Sequence, residues 1–284
     1  MTVAQPEPHG AESLFTEVDG LTTHYWVVGE GSPIVLIHGG EFGGSAELGW
    51  EYVFAALGRH HRVYAPDVLG YGLTAKVHDF TDFATFKLRH LARFCEQFGL
   101  VDVPFIGNSM GGNFLIRDAV EDKPLIPASK IVASSGGGPV PANEARAALV
   151  DYDGTLPAMR KVVDALFWGP EWTQDEAYVR RRYESSMIPG AWECAAAARL
   201  HNPGAAAPSA YERNVRNELD YSGVRVPILV MGGEKDKLKP PDYAPELAKQ
   251  IPGASAIVMP DAGHCPQIET PDAFVEAVLD YIDR

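Results

Sequence analysis

Three residue types that together activate a hydroxyl nucleophile occur along this chain in the order serine, aspartate, histidine. They are Ser109, Asp236 and His264. A serine hydroxyl needs an adjacent base to remove its proton, and the base needs a carboxylate to orient its ring. Ser109 lies in GNSMG (107–111), which matches the G-x-S-x-G pattern of a sharp turn between a strand and a helix. An ordinary glycine turn with a structural serine shows the same pattern, so the surrounding elements must decide.

The elements around Ser109 favour a nucleophile. The apolar run VPFIGN (103–108) predicts a buried strand, and the helical pattern from Asn113 to Val120 follows it. A strand that turns directly into a helix forces the serine to a positive φ, and the flanking glycines leave room for the turn. The helix N-terminus behind Ser109 favours developing negative charge.

Asp236 and His264 each follow a predicted strand, VPILVMGG (226–233) and ASAIVMPD (254–261) respectively. An open α/β sheet places its site at the carboxyl ends of its strands, so these side chains are expected near Ser109. A capping aspartate and a structural histidine are the alternative interpretations. Asp261 also competes for the acid role, but it lies only three residues before His264, which is a poor span for reaching the far ring nitrogen.

The glycine-rich loop HGGEFGG (38–44) follows the predicted strand PIVLIHG (33–39). Glycines let backbone N–H groups approach an oxyanion, and the expected donors are the N–H groups of Gly40 and Met110. A glycine loop without catalytic duty is the alternative. Four further residues are candidates for lining a substrate pocket, although each could equally serve packing: Gly39, Asn108, Trp192 and Cys265.

The remaining pattern supplies the elements that would position these side chains. Further apolar runs at 62–67 and 130–136 alternate with amphipathic helical patterns at 82–99 and at 274–282, the latter after a helix start at Thr270-Pro271. The segment 14–29 alternates around Asp19-Gly20, which predicts an antiparallel hairpin at a sheet edge. Strand and helix alternation predicts a doubly wound, mostly parallel α/β sheet. Residues 139–222 show helical patterns without a convincing strand and predict a helical insertion, leaving 1–138 and 223–284 as the core.

Composition restricts the partners. The 284 residues carry a formal net charge of −14, which disfavours nucleic acid and anionic membrane surfaces. No apolar run approaches the roughly 20 residues that cross a bilayer, and residues 1–13 lack the pattern of a signal peptide. Three cysteines without metal-like spacing predict neither a disulfide framework nor a zinc site. We expect a cytoplasmic protein that acts on a small molecule without a metal or organic cofactor.

Two further segments, PDVLGYGLTAK (66–76) and GHCPQIETPDAF (263–274), join the serine and glycine motifs in a family resemblance. Over nearly its whole length the chain resembles the α/β-hydrolases, with 139–222 as the cap. Within them it is similar to the meta-cleavage-product hydrolases, which hydrolyse a carbon–carbon bond in ring-opened catechols. This resemblance implies a Ser109–Asp236–His264 triad, no cofactor and, as is common in that family, a homodimer.

The chain departs from that family at the groups that grip a substrate carboxylate. Gly49 stands where the family usually has an asparagine before the tryptophan, and Cys265 stands where a tryptophan usually follows the histidine. In that family the cap also supplies an arginine that binds the substrate carboxylate. The candidates here are Arg180, Arg181 and Arg182, although a run of three arginines is also typical of a solvated helix face. Three functions therefore stay open: cleavage of a 1,3- or vinylogous diketone, a carboxylesterase, and a non-hydrolytic receptor or lyase.

Overall fold

The computed structural model describes residues 10–197 and 219–284. One eight-stranded sheet runs through it in the order β1-β2-β4-β3-β5-β6-β7-β8. The strands are β1 Glu12–Val18, β2 Leu21–Val28, β3 Pro33–Ile37, β4 Arg62–Pro66, β5 Val103–Asn108, β6 Ala128–Ser134, β7 Ile228–Gly233 and β8 Ser255–Met259. Strands β3 to β8 pair in parallel, whereas β1 with β2 and β2 with β4 pair antiparallel. The predicted doubly wound, mostly parallel sheet is confirmed.

The predicted hairpin is also present at the sheet edge. Residues of β1 and β2 pair from Glu12 with Val27 to Val18 with Leu21. Both turn residues have positive φ, 50° at Asp19 and 77° at Gly20, as a tight turn between antiparallel strands requires.

Helices cover both faces of the sheet. In chain order they are α1 Ala46–Trp50, α2 Phe54–Gly58, α3 Phe83–Gln97, α4 Met110–Ala119, α5 Glu144–Val150, α6 Leu156–Leu166, α7 Glu171–Gln174, α8 Glu176–Ser186, α9 Ala191–Ala197, α10 Tyr243–Ala248, α11 Pro266–Glu269 and α12 Pro271–Ile282. Successive side chains of β5 point to opposite faces, so Phe105 packs with the α3 and α4 layer and Ile106 with the α1, α2 and α12 layer. Both side chains are fully buried, which explains why β5 is apolar along its length.

The described residues between β6 and β7 form five helices, α5 to α9, and no strand. We call α5–α9 the inserted helices. Their aromatic side chains pack together: Phe167 stacks on Trp172 at a centroid distance of 4.6 Å, and Tyr178 packs edge-on to both rings. Residues 198–218 lie outside the described residues, and the division of the chain at 139 and 222 stays a prediction.

Candidate active site

Ser109 occupies the turn between β5 and α4, with φ 51° and ψ −110°. The predicted positive φ is therefore confirmed. A Cβ atom at Gly107 would overlap the backbone of Gly111, and one at Gly111 would overlap the carbonyl of Ile37. Because only glycine fits at both positions, the sequence pattern is a direct requirement of this turn.

The His264 ring lies between Ser109 and Asp236. Its Nε2 is 2.8 Å from the Ser109 Oγ, and its backbone N–H donates to the Leu166 carbonyl at 2.8 Å. The Asn108 side-chain amide donates to the His264 carbonyl at 3.1 Å. His264 is therefore fixed on its backbone from two sides, by the strand that carries the nucleophile and by the inserted helices.

Asp236 completes the contact on the other side of the ring. Its Oδ2 accepts a hydrogen bond from His264 Nδ1 at 2.8 Å, and its Oδ1 accepts one from the Leu238 N–H at 2.8 Å. Burial raises the pKa of this carboxyl group, but the charge and hydrogen bond of His264 outweigh it, so the pKa lies below its ordinary value. The competing Asp261 is exposed, and among the described residues no hydrogen bond joins it to His264.

The glycine loop lies directly beside the turn that carries Ser109. A Cβ atom at Gly40 would lie 2.6 Å from the Met110 Sδ, which puts these two residues in contact. Met110 is the first residue of α4, where a helix leaves its N–H groups without intrahelical partners. Among the described residues, neither N–H donates a hydrogen bond to the protein. The two groups therefore form a candidate oxyanion site.

Two buried side chains hold this loop, and the sequence analysis did not assign either a role. The Val68 N–H donates to His38 Nε2 at 3.0 Å, so His38 Nδ1 carries the proton and donates to the Gly39 carbonyl at 2.6 Å. Burial lowers the pKa of His38, consistent with this neutral form. The Tyr71 hydroxyl donates to the Gly40 carbonyl at 3.0 Å. The position of His38 inside HGG and of Tyr71 inside LGYG was the available signal.

The four candidate pocket residues lie in different surroundings. A Cβ atom at Gly39 would lie 3.3 Å from the Asn108 Oδ1, so Gly39 and Asn108 are neighbours at the nucleophile. Cys265 is 2% exposed, and burial raises the pKa of its thiol well above the ordinary value, which keeps it neutral. Trp192 is 37% exposed and stacks on Phe42, in the glycine loop, at a centroid distance of 6.0 Å.

The three consecutive arginines on α8 lie in three different environments. Arg180 is solvated, with a 55% exposed side chain 3.7 Å from Glu176. Arg181 binds Glu51 at 2.8 Å. Arg182 is fully buried and its Nη1 donates to Glu41 Oε1 at 2.9 Å, inside the glycine loop. Only Arg180 fits a solvated helix face.

Glu269 is a half-buried carboxylate that the sequence analysis missed. It accepts hydrogen bonds from the Trp168 N–H at 2.6 Å and from the Gly263 N–H at 2.7 Å. Burial raises its pKa from 4.5 to about 7, against the lowering effect of these backbone N–H groups. Glu269 thus joins the residue before His264 to the inserted helices.

Within the described ranges, no group of three or more metal-binding side chains could hold a metal ion. The described helices include none that is both long and apolar enough to cross a membrane.

Comparison with known proteins adds a family to this geometry. The family model described as "Alpha/beta hydrolase family" matches residues 34–277. The chain is 31% identical over 281 residues to 2-hydroxy-6-oxo-6-(2'-aminophenyl)hexa-2,4-dienoic acid hydrolase of Metapseudomonas resinovorans, covering 95% of this chain and 90% of that protein. It is 28% identical over 267 residues to 2-hydroxy-6-oxo-2,4-heptadienoate hydrolase of Pseudomonas putida, covering 93% of each. The solved meta-cleavage product hydrolase of Pseudomonas fluorescens superposes with a TM-score of 0.82 at 25% identity, covering 95% of this chain and 97% of that one.

Proposed function

This chain belongs to the α/β-hydrolase family and is a hydrolase, and we propose that it uses Ser109 to cleave a carbon–carbon bond next to a carbonyl group in the breakdown of aromatic compounds. The observation that carries the serine mechanism is the continuous contact from Asp236 through His264 to Ser109, with 2.8 Å at each step. The names of the relatives support carbon–carbon cleavage, since they are hydrolases of dienoic acids.

In the first half-reaction His264 Nε2 takes the proton of Ser109 as Oγ attacks the carbonyl carbon. Asp236 holds the ring in the required tautomer and stabilises the imidazolium. The N–H groups of Gly40 and Met110 bind the oxyanion. When the tetrahedral intermediate collapses, the electron pair of the carbon–carbon bond leaves with the departing carbon, and that carbon takes the proton from His264.

In the second half-reaction water attacks the acyl group on Ser109. His264 removes one proton from this water, and the carbon–oxygen bond to Ser109 breaks. The proton returns from His264 to the serine oxygen, so the enzyme is restored. The sum is one diketone and one water converted to one carboxylic acid and one ketone, with no metal or organic cofactor required.

The leaving carbon restricts the substrate. A carbanion departs readily only if a second carbonyl group delocalises its charge as an enolate. A 1,3-diketone satisfies this requirement, as does a vinylogous diketone after ketonisation. We therefore propose a small molecule of this class as the substrate.

Replacing the nucleophile tests the serine mechanism. Ser109→Ala should lower kcat by about 10⁴-fold or more, because the covalent step is lost. Purified variant and wild type are compared on a coloured ring-fission dienone, with circular dichroism as a check on folding. Turnover that survives in Ser109→Ala would show that no serine intermediate is formed, as in a lyase. Wild-type protein that binds the dienone without turning it over would indicate a receptor.

A carboxylesterase would use the same residues, since an alkoxide or phenoxide leaves more easily than a carbanion. Parallel assays with p-nitrophenyl esters and the dienone separate the two functions. We expect dienone turnover to exceed ester turnover in kcat/KM. Rapid ester hydrolysis without dienone turnover would refute carbon–carbon cleavage and leave the triad intact.

We also propose that the inserted helices form a cap over Ser109, in a cytoplasmic homodimer. Two contacts support the cap: the Leu166 carbonyl binds the His264 N–H at 2.8 Å, and Arg182 on α8 binds Glu41 in the glycine loop at 2.9 Å. The three cysteines are free and buried, which suits a reducing compartment. The resemblance to the meta-cleavage-product hydrolases supports the dimer, which sedimentation at several concentrations would test.

A further inference from the structure

A buried ion pair stands beside the candidate oxyanion site. Glu41 directly follows Gly40, and Arg182 reaches it from α8 with 2.9 Å between Nη1 and Oε1. Arg182 has no exposed surface, and the Glu41 side chain is 9% exposed. Both groups are ionised, since the charge of Arg182 lowers the pKa of Glu41 despite its burial, and the pKa of Arg182 is raised despite burial, with Glu41 among the causes.

The Glu41 carboxylate folds back toward the nucleophile. A Cβ atom at Gly39 would overlap Glu41 Oε2, and the same position lies 3.3 Å from the Asn108 Oδ1. Asn108 immediately precedes Ser109. The carboxylate therefore lies between the glycine loop and the strand that carries the nucleophile, next to where an acyl group would be bound.

Arg182 is enclosed on its other sides. Its guanidinium lies 5.2 Å from the centre of the Phe167 ring and 5.3 Å from that of the Tyr178 ring, and its Nε donates to the Tyr178 hydroxyl at 2.9 Å. Its Nη2 is buried without a hydrogen-bond partner among the described residues. An arginine binds a carboxylate best through two nitrogens at once, but here Glu41 occupies Nη1 and packing closes off Nη2.

We infer that Glu41 is a specificity-determining residue that cancels the charge of Arg182, so that the site selects substrates whose acyl and leaving parts are uncharged near Ser109. This inference rests on the proposed serine-hydrolase function. It narrows the substrate to neutral 1,3- or vinylogous diketones. A substrate carboxylate at this position would meet the Glu41 carboxylate, while the nearby charge of Arg182 is already offset by Glu41.

The test compares a ring-fission dienoate with its carboxamide, which has nearly the same shape and no charge. Wild type should favour the carboxamide in kcat/KM by about tenfold or more. Glu41→Ala should shift this ratio toward the dienoate by about tenfold or more, because it removes the repelling charge, opens space and frees the Arg182 Nη1 for a substrate carboxylate. Glu47→Gln is the matched control, since it removes one negative charge on nearby α1, 3.9 Å from Arg181 rather than from Arg182. Its ratio should equal that of wild type.

Dissociation constants measured in the Ser109→Ala background separate this inference from the proposed function. If wild type turns over neither compound but Ser109→Ala binds the carboxamide more tightly, the carbon–carbon function fails and the charge preference stands. If wild type prefers the dienoate in turnover or binding, the inference is overturned while the hydrolase function stands. Should Glu41→Ala fail to fold, Glu41→Gln supplies the loss of charge at nearly constant volume. An unchanged ratio in a folded Glu41 variant also overturns the inference.

Discussion

Replacing Glu269 with glutamine should change the pH dependence of stability. Glu269 accepts the N–H groups of Trp168 and Gly263, and burial, aided by the charge of nearby Asp236, raises its pKa from 4.5 to about 7. A carboxyl group whose folded pKa exceeds its unfolded value binds protons more tightly in the folded state. Its ionisation therefore destabilises the fold as the pH rises.

The magnitude follows from the shift. The cost is absent well below pH 4.5, grows as the pH climbs, and is complete above about pH 7, where it reaches about 3 kcal/mol. Between about pH 5 and about pH 8 the wild type should lose roughly 2 to 3 kcal/mol through this group alone. Glutamine does not titrate, so Glu269→Gln lacks that loss. It loses one side-chain oxygen that accepts a backbone N–H, but that penalty is about the same at both pH values and largely cancels when they are compared.

The assay is urea unfolding of wild type and Glu269→Gln at both pH values, monitored by tryptophan fluorescence. The free energy of unfolding of Glu269→Gln minus that of wild type should be roughly 2 to 3 kcal/mol larger at the higher pH than at the lower. As a control, Val101→Ala alters a side chain that is 64% exposed and does not titrate, so its difference from wild type should not vary with pH. A Glu269→Gln difference that is equally flat would refute the reasoning and show that the backbone N–H groups hold Glu269 ionised throughout.

Three other substitutions probe separate parts of the structure. Asp236→Asn should lower kcat by about 10⁴-fold with little change in KM, because it disturbs the His264 tautomer. Steady-state kinetics would measure both constants, and a loss of kcat under about tenfold would contradict the orienting role of Asp236. Burial lowers the pKa of Lys239 to about 8, so the charged form costs stability below about pH 8, and this cost fades toward pH 10.5. The free energy of unfolding of Lys239→Met minus that of wild type should therefore be about 3 kcal/mol larger at pH 7 than at pH 10.5. Urea unfolding measures this difference, and an equal difference at both pH values would refute the reasoning. Phe105→Ala should cost about 3–5 kcal/mol in the same assay, since Phe105 is fully buried at the centre of the sheet, and a cost under about 1 kcal/mol would contradict that packing.

Local patterns account for what the sequence predicted well. The inner parallel strands are short runs of apolar residues because both faces of the sheet are covered there, so their positions can be read from sequence without knowing their neighbours. The turn at Ser109 is similarly local, since the glycines at 107 and 111 are required by contacts within the turn and with β3. The order of the strands then places Asp236 and His264 at the same edge as Ser109.

Contacts made by the inserted helices could not be predicted in this way. Arg182 and Glu41 are 141 residues apart, and Trp168 and Glu269 are 101 residues apart. The periodicity of α8 gives no reason for Arg182 to be buried while Arg180 is solvated, because all three arginines look alike in sequence. Their different roles depend on how α8 packs against the glycine loop, which no single segment encodes.

These contacts join the inserted helices to the site at both of its ends. At the base, residues 166–168 accept from the His264 N–H and donate to Glu269. At the glycine loop, Arg182 holds Glu41 beside the Gly40 N–H. A rigid-body opening of the helices would have to break the buried ion pair, the hydrogen bond from the His264 N–H to the Leu166 carbonyl, and that from the Trp168 N–H to the Glu269 carboxylate. Because both contacts come from the same inserted helices, substitutions in α8 that alter the ion pair should be judged by kcat as well as by selectivity.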